Sequence, residues 1–194
     1  MTSTPAFETG VWNAWILIVP YLLVNFGLPF FFVGRKSTFW SFPSYTRFER
    51  MCLVTQLLFM AGLWIYSILL PLTIGTAWFY AGLPIYLLGY AFITIAMLTF
   101  IANPADVPNI TGLYRISRHP MYLGIILVYI GIGIASASWV YLLLASLYLA
   151  TYRNAFVIPE ERFCCERFGD SYREYMKRTP RWIGIPKSGS NKQP

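Results

Sequence analysis

The sequence predicts an all-α, polytopic membrane protein with about five transmembrane helices, the last two a helical hairpin, and a short amphipathic helical region near the C-terminus. Three observations predict it. Hydrophobic residues make up 57% of the 194 positions and charged residues 12%, against about 25% charged in ordinary soluble domains. From Met51 to Ala105 there is no charge at all, and Met121 to Tyr152 is a second uncharged run. The formal charge of +7 is carried by the connections and the tail, where basic residues set the topology of membrane proteins.

The elements follow in order, each measured against the roughly 20 apolar residues that cross a bilayer as a helix. A first span runs from about Val11 to Val33, with Pro20, Gly27 and Pro29 as kink sites. A second covers about Met51 to Leu70 and a third about Trp78 to Ala102, with "PLTIGT" (Pro71 to Thr76) as the turn between them. The fourth apolar block is too long for one span, and the small residues of "GIGIASAS" (Gly131 to Ser138) divide it into a hairpin. Its first arm, about Met121 to Ala135, would be only about 22 Å long, which is short for a full crossing. In the tail, Pro159 suits a helix start with Glu160 and Glu161 in the first turn. Gly169 suits a break between two short helices, and Tyr172 and Tyr175 share a face.

Residues 1–105 are thus three N-terminal spans and 106–182 a polar region built around the hairpin. Residues 183–194, with "PKSGSNKQP" at the end, form a disordered tail. All belong to one membrane domain. Arg35, Lys36, Arg47 and Arg50 lie in the first connection, Arg115 and Arg118 in the third, and most other basic residues after Arg153, while Glu8 lies on the other side. The positive-inside rule then places the N-terminus outside and the C-terminus in the cytoplasm. Cys52, Cys164 and Cys165 form neither a CxxC pair nor a disulfide framework and read as small apolar side chains. Lipidation of the Cys164–Cys165 pair is the sharper alternative. The N-terminus lacks the basic segment of a cleaved signal peptide. There is no zinc pattern, metal set or nucleic-acid motif.

The polar residues with chemical potential gather at Asp106 to His119 and Arg153 to Arg181, two segments that flank the hairpin and meet when it folds. The only histidine, His119, lies between Arg118 and Pro120 at the mouth of an apolar helix. Pro120 suits the first helical position because it lacks the N–H that would be unpaired there. The N–H groups of Met121, Tyr122 and Leu123 then point out of the helix end and suit a carboxylate or phosphate, with Arg118 beside them. A capped helix with a snorkelling arginine is the plainer alternative.

"RHPMYLG", followed beyond the hairpin by "EERFCCERFGDSYREYMKRTPRW", resembles the isoprenylcysteine carboxyl methyltransferase family. That family's pattern is Arg-His-Pro-x-Tyr-x-Gly, a helical hairpin, paired glutamates, then Phe-Gly-x-x-Tyr-x-x-Tyr and a late proline. The likeness covers about Gly112 to Trp182, and related membrane phospholipid methyltransferases and sterol reductases carry similar signatures. It implies S-adenosylmethionine as cofactor, held by Val107 and Asn109 of "DVPN", by Leu113, Tyr114, His119, Pro120, Met121 and Tyr122, and by Glu160. The rings of Tyr114 and Tyr122 would face adenine or the sulfonium. The implied reaction methylates the carboxylate of a lipid-bearing, isoprenylcysteine-like acceptor drawn from the bilayer at the cytoplasmic face. Such an acceptor is already ionised at neutral pH. The family's substrate-binding arginine would fall on Phe156, so Arg153, one helical turn earlier, is the substitute. Met97 and Phe100, late in the third span, lie near the cofactor's depth. A phospholipid amine N-methyltransferase, an NADPH-dependent membrane reductase and a non-catalytic scaffold or transporter are the competing functions.

Overall fold

A computed structural model describes residues 10–32, 44–104 and 106–184. The expected roles of Glu8, Arg35, Lys36 and residues 186–194 lie outside them. Among the described residues the chain forms six helices: α1 (Trp15–Phe32), α2 (Arg47–Leu69), α3 (Ala77–Ala102), α4 (Pro120–Ala135), α5 (Trp139–Phe168) and α6 (Asp170–Arg178). Four of them, α1, α2, α3 and α5, are long and apolar enough to cross a membrane. The 16 residues of α4 extend about 24 Å, short of a hydrocarbon core of about 30 Å. The short fourth arm is therefore present as expected, and the chain is a polytopic membrane protein.

Local chemistry sets the helix boundaries. Thr46 and Glu49 form a reciprocal capping box that starts α2: the Thr46 hydroxyl accepts from the Glu49 N–H at 3.3 Å, and the Glu49 carboxylate from the Thr46 N–H at 2.8 Å. Thr76 caps α3 and Ser138 caps α5 in the same one-sided way, each accepting an N–H three residues on. In the "PLTIGT" turn Gly75 takes φ +84°, where a side chain would be strained.

Pro159 is not a helix start. It lies inside the continuous 30-residue α5, just after a π-helical turn at Arg153–Val157. The same device recurs in α1, where the π turn Leu23–Gly27 precedes Pro29. A proline ring clashes with the carbonyl four residues back and donates no hydrogen bond. A wider turn just before it moves that carbonyl out of register, so the helix passes the proline without ending.

The helices pair through small residues. α3 and α4 run antiparallel with backbones in contact, because Gly82 and Gly89 of one meet Gly131 and Gly124 of the other. A methyl group on Gly131 would lie 2.4 Å from the backbone nitrogen of Tyr86, and one on Gly89 2.7 Å from the Gly124 carbonyl. Such close approach is how membrane helices gain dispersion energy when burial from water is not available. On the other side α2 packs on α5, and Thr151 donates to the buried Gln56 side chain at 2.5 Å. Tyr21, Tyr129, Tyr141 and Tyr148 fill the interior. The Trp64 indole donates to the Tyr129 hydroxyl at 3.1 Å.

One end of the bundle is tied by backbone bonds. Ala14 N–H donates to the Leu70 carbonyl at 2.8 Å, and Leu72 N–H to Trp12 at 3.0 Å. The Ala135 carbonyl, at the end of α4, accepts from both the N–H and the hydroxyl of Thr73 at 3.2 and 2.8 Å. Among the described residues, the charged segments gather at the opposite end.

Candidate functional site

The site is built where the start of α4, the charged half of α5 and the segment after α6 converge. His119 is the N-cap residue of α4 and Pro120 its first helical residue. A 3₁₀ turn, Gly112–Arg115, precedes them. Gly112 opens this turn at φ +56°, where a side chain would also crowd Thr99 at 3.1 Å. The Leu123 N–H, expected to face outward, instead donates to the His119 carbonyl at 3.2 Å, because it already belongs to the first closed turn of the helix. The N–H groups of Met121 and Tyr122 remain without a partner among the described residues.

Two adjacent glutamates project from α5 toward this helix end, with different surroundings. Glu160 has a side chain 40% exposed, accepts from the Tyr122 hydroxyl at 2.5 Å, and lies 3.6 Å from His119 Nδ1. Glu161 is buried and meets three cationic groups: Arg118 Nη1 at 3.0 Å, His119 Nε2 at 3.2 Å, and Arg181 through Nε at 3.1 Å and Nη2 at 2.7 Å. The hydrogen bonds from His119 and Arg181 and the charge of Arg118 compensate the buried Glu161 carboxylate. For His119, burial works against the cation, and the hydrogen bonds and charges of Glu160 and Glu161 outweigh it and raise its pKa.

A ring of tyrosines surrounds Glu160. Tyr45, Tyr114, Tyr172 and Tyr175 all feel its charge; burial raises each phenol first, and Glu160 raises it further. All four therefore stay neutral at physiological pH. Tyr172 and Tyr175 share a face as expected, with ring centroids 5.6 Å apart. The Tyr175 hydroxyl donates to the Tyr114 carbonyl at 2.6 Å. Tyr122 is closely packed within this cluster. His119 stacks on it at 5.2 Å, Tyr152 meets it edge-on at 4.9 Å, and its hydroxyl is held by Glu160.

The other expected site residues divide by position. Asn109 accepts from Thr111; among the described residues its buried amide nitrogen has no partner, and the buried Tyr114 hydroxyl and Arg118 Nε are likewise unpaired. Val107 is exposed and Leu113 serves the 3₁₀ turn through its carbonyl. Met97 is buried within α3. Arg153 is exposed in the π turn, and no contact among the described residues brings it to Glu160.

Two members of the site escape sequence reasoning: Glu161 as its hub, and Arg181. The segment around Arg181 is ordered through Gly184. Arg118 N–H donates to the Pro180 carbonyl at 3.0 Å, Gly184 N–H to Ile116 at 3.2 Å, and the Ser117 hydroxyl to the Arg181 carbonyl at 3.3 Å. The start of the expected disordered tail, Ile183 and Gly184, is thus docked against the motif. The available signal was charge balance: a buried Arg118 needs a carboxylate, and the glutamate pair supplies one.

Apolar helices closed by a charged, tyrosine-lined site at one end define an integral membrane protein with an interfacial polar site. A family model described as phospholipid methyltransferase matches residues 70–171, just over half of the chain, and the chain belongs to that family. The matched region takes in α3, α4, α5 and both glutamates. The chain is also similar to a protein-S-isoprenylcysteine O-methyltransferase of Schizosaccharomyces pombe (strain 972 / ATCC 24843), 36% identical over 75 residues. That match covers 39% of this chain and 31% of the relative, so the chain aligns with about a third of that protein's length.

Proposed function

We propose that this protein transfers a methyl group from S-adenosylmethionine to a lipid acceptor drawn from the bilayer, with His119 and Glu160 at the centre of the cofactor site. The observation that carries the proposal is the pairing of unpartnered donors with a partly open carboxylate near the start of α4. Among the described residues, the N–H groups of Met121 and Tyr122, the Asn109 amide nitrogen and the Tyr114 hydroxyl lack partners, while the Glu160 side chain is 40% exposed. The cofactor is a zwitterion with a sulfonium, so its carboxylate suits the donors. Its cationic groups suit Glu160 and the tyrosine ring faces. Pro120 fits by fixing the helix start, and Arg118, held by Glu161, adds positive potential beside the amides. Val107, Leu113 and Leu123 would contribute through shape, since their polar backbone atoms are used or distant.

Bound there, S-adenosylmethionine supplies an electrophilic methyl group. The protein's part is to orient the acceptor and exclude water. His119, held between two glutamates and stacked on Tyr122, is fixed in one orientation. The favoured acceptor is the carboxylate of an isoprenylcysteine-like lipid, as the name of the relative suggests, reached from the cytoplasmic side with Arg153 as its cation. A phospholipid amine is the second reading. It is favoured by the family's description and by Phe156 standing where an arginine clamp would be needed. Glu160 could then accept the proton that an ammonium acceptor must lose.

Isothermal calorimetry on detergent-purified protein tests the class. Micromolar binding of S-adenosylmethionine without NADPH binding is expected, and His119→Ala and Glu160→Ala should each weaken it at least tenfold in folded protein. Binding of NADPH alone would favour a reductase. Unchanged affinity in both variants would refute the site. S-prenylcysteine and aminophospholipid analogues then separate the two acceptors.

A further inference from the structure

We infer that Glu161 is a positioning residue: it holds His119 through Nε2, leaves Nδ1 facing Glu160, and docks the segment 179–184 over the helix end through Arg181. This inference rests on the proposed cofactor site at His119 and Glu160. The geometry assigns the role to Glu161 because three side chains from two distant pieces of chain meet on its carboxylate. Oε1 takes Arg118 Nη1, His119 Nε2 and Arg181 Nε, and Oε2 takes Arg181 Nη2. A carboxylate only accepts, so the His119 proton facing it must sit on Nε2. The other ring nitrogen is then turned to Glu160 Oε2, 3.6 Å away.

The backbone around this contact has the same purpose. Ser117 accepts from the His119 N–H at 3.1 Å and donates to the Arg181 carbonyl. The Ile116–Arg118 stretch is bonded to Pro180 and Gly184 on both sides of Arg181. Trp182, carried by the docked segment, lies 6.4 Å from the His119 ring. The histidine is thereby enclosed by Tyr122 on one face, two glutamates at its nitrogens and the docked segment at its edge. Glu161 is 8% exposed and its oxygens are taken by these partners, which leaves Glu160 as the carboxylate open to a ligand. In metal sites, partners that orient a ligating histidine change affinity by about 10- to 100-fold, which sets the scale for the effect expected here.

The chain has one histidine, so protein labelled with 15N-histidine reports His119 alone, with no cofactor present. The groups facing it are Glu160 and Glu161 from α5, Tyr122 and Arg118 from α4 and its approach, and Arg181 from the docked segment. Glu161→Gln should lower the His119 pKa and weaken S-adenosylmethionine binding by about tenfold or more, and Glu161→Asp should restore part of both. Arg181→Gln should move the pKa the opposite way, upward, because it removes a cation that competes for Glu161. An unmoved His119 titration in Glu161→Gln, or in Arg181→Gln should the first variant not fold, would overturn the inference. So would unchanged cofactor affinity in folded Glu161→Gln. Absence of cofactor binding by the unsubstituted protein would instead sink the methyltransferase proposal, while the titration judges Glu161 separately.

Discussion

Gly131→Ala probes whether the α3–α4 seam sets the position of the site. The added methyl would lie 2.4 Å from Tyr86 N and 2.7 Å from its Cα, against ordinary contact at 3.4–4 Å. The obstructing atoms are backbone and cannot rotate away, so the two helices must part by about 1 Å at this level. A gap of that size forfeits roughly a quarter to a half of the dispersion energy of the atoms that lose contact. Overpacking of this kind costs about 2–3 kcal/mol, and the higher helix propensity of alanine returns about 1 kcal/mol. A net loss of about 1–2 kcal/mol is expected. Gly62→Ala in α2 is the control, because nothing lies within 4 Å of its added methyl. It should leave stability unchanged or raise it by up to about 1 kcal/mol. Reversible unfolding in mixed detergent micelles measures both. If Gly131→Ala proves as stable as Gly62→Ala, the close approach of the helices is refuted.

Three further outcomes follow from contacts described above or from one not yet used. Arg162 reaches from α5 to both oxygens of the buried Glu49, at 3.0 and 2.8 Å, so Arg162→Gln should lower stability by about 1–3 kcal/mol in the same unfolding assay. Tyr175→Phe removes the bond to the Tyr114 carbonyl and should cost about 1 kcal/mol, with a modest loss of cofactor affinity by calorimetry. For pH, His119 is raised from 6.5. Its contribution is therefore full below about 6.5 and lost as pH rises through its folded value. Thermal midpoints should decline as pH rises through that value, and His119→Gln should remove the decline.

The span count and the hairpin were legible because uncharged length and a cluster of small residues are local signals. "GIGIASAS" broke the helix where Ser136 to Ser138 leave it, and Gly169 and the Tyr172–Tyr175 face stood where their spacing put them. The N-cap at His119 was legible because Pro120 can take few other positions. Pro159 misled, since proline ends a regular helix but passes through one that has just widened, and composition does not reveal that turn. The same turn shifts the phase of α5. Which glutamate is buried against Arg118 and His119, and which stays open, is decided by that phase and not by the pair itself. Arg181 was hidden for another reason: its role depends on a backbone pairing between Ile116–Arg118 and Pro180–Gly184, distant in the chain and without a repeating pattern.

The pair of hydrogen bonds from Thr73 to the Ala135 carbonyl has a mechanical consequence for the site at the other end. It pins the last residue of α4, while the first residues carry His119, Pro120 and the free amides. The helix is then a lever about 24 Å long with its fulcrum at the far end. A tilt of about 5° about that pin would displace Pro120 by about 2 Å, enough to make or break the reach between His119 and the glutamates. The glycine faces of α3 resist that swing along the whole length of the lever. The end of the protein opposite the polar site thus contributes to holding that site's geometry.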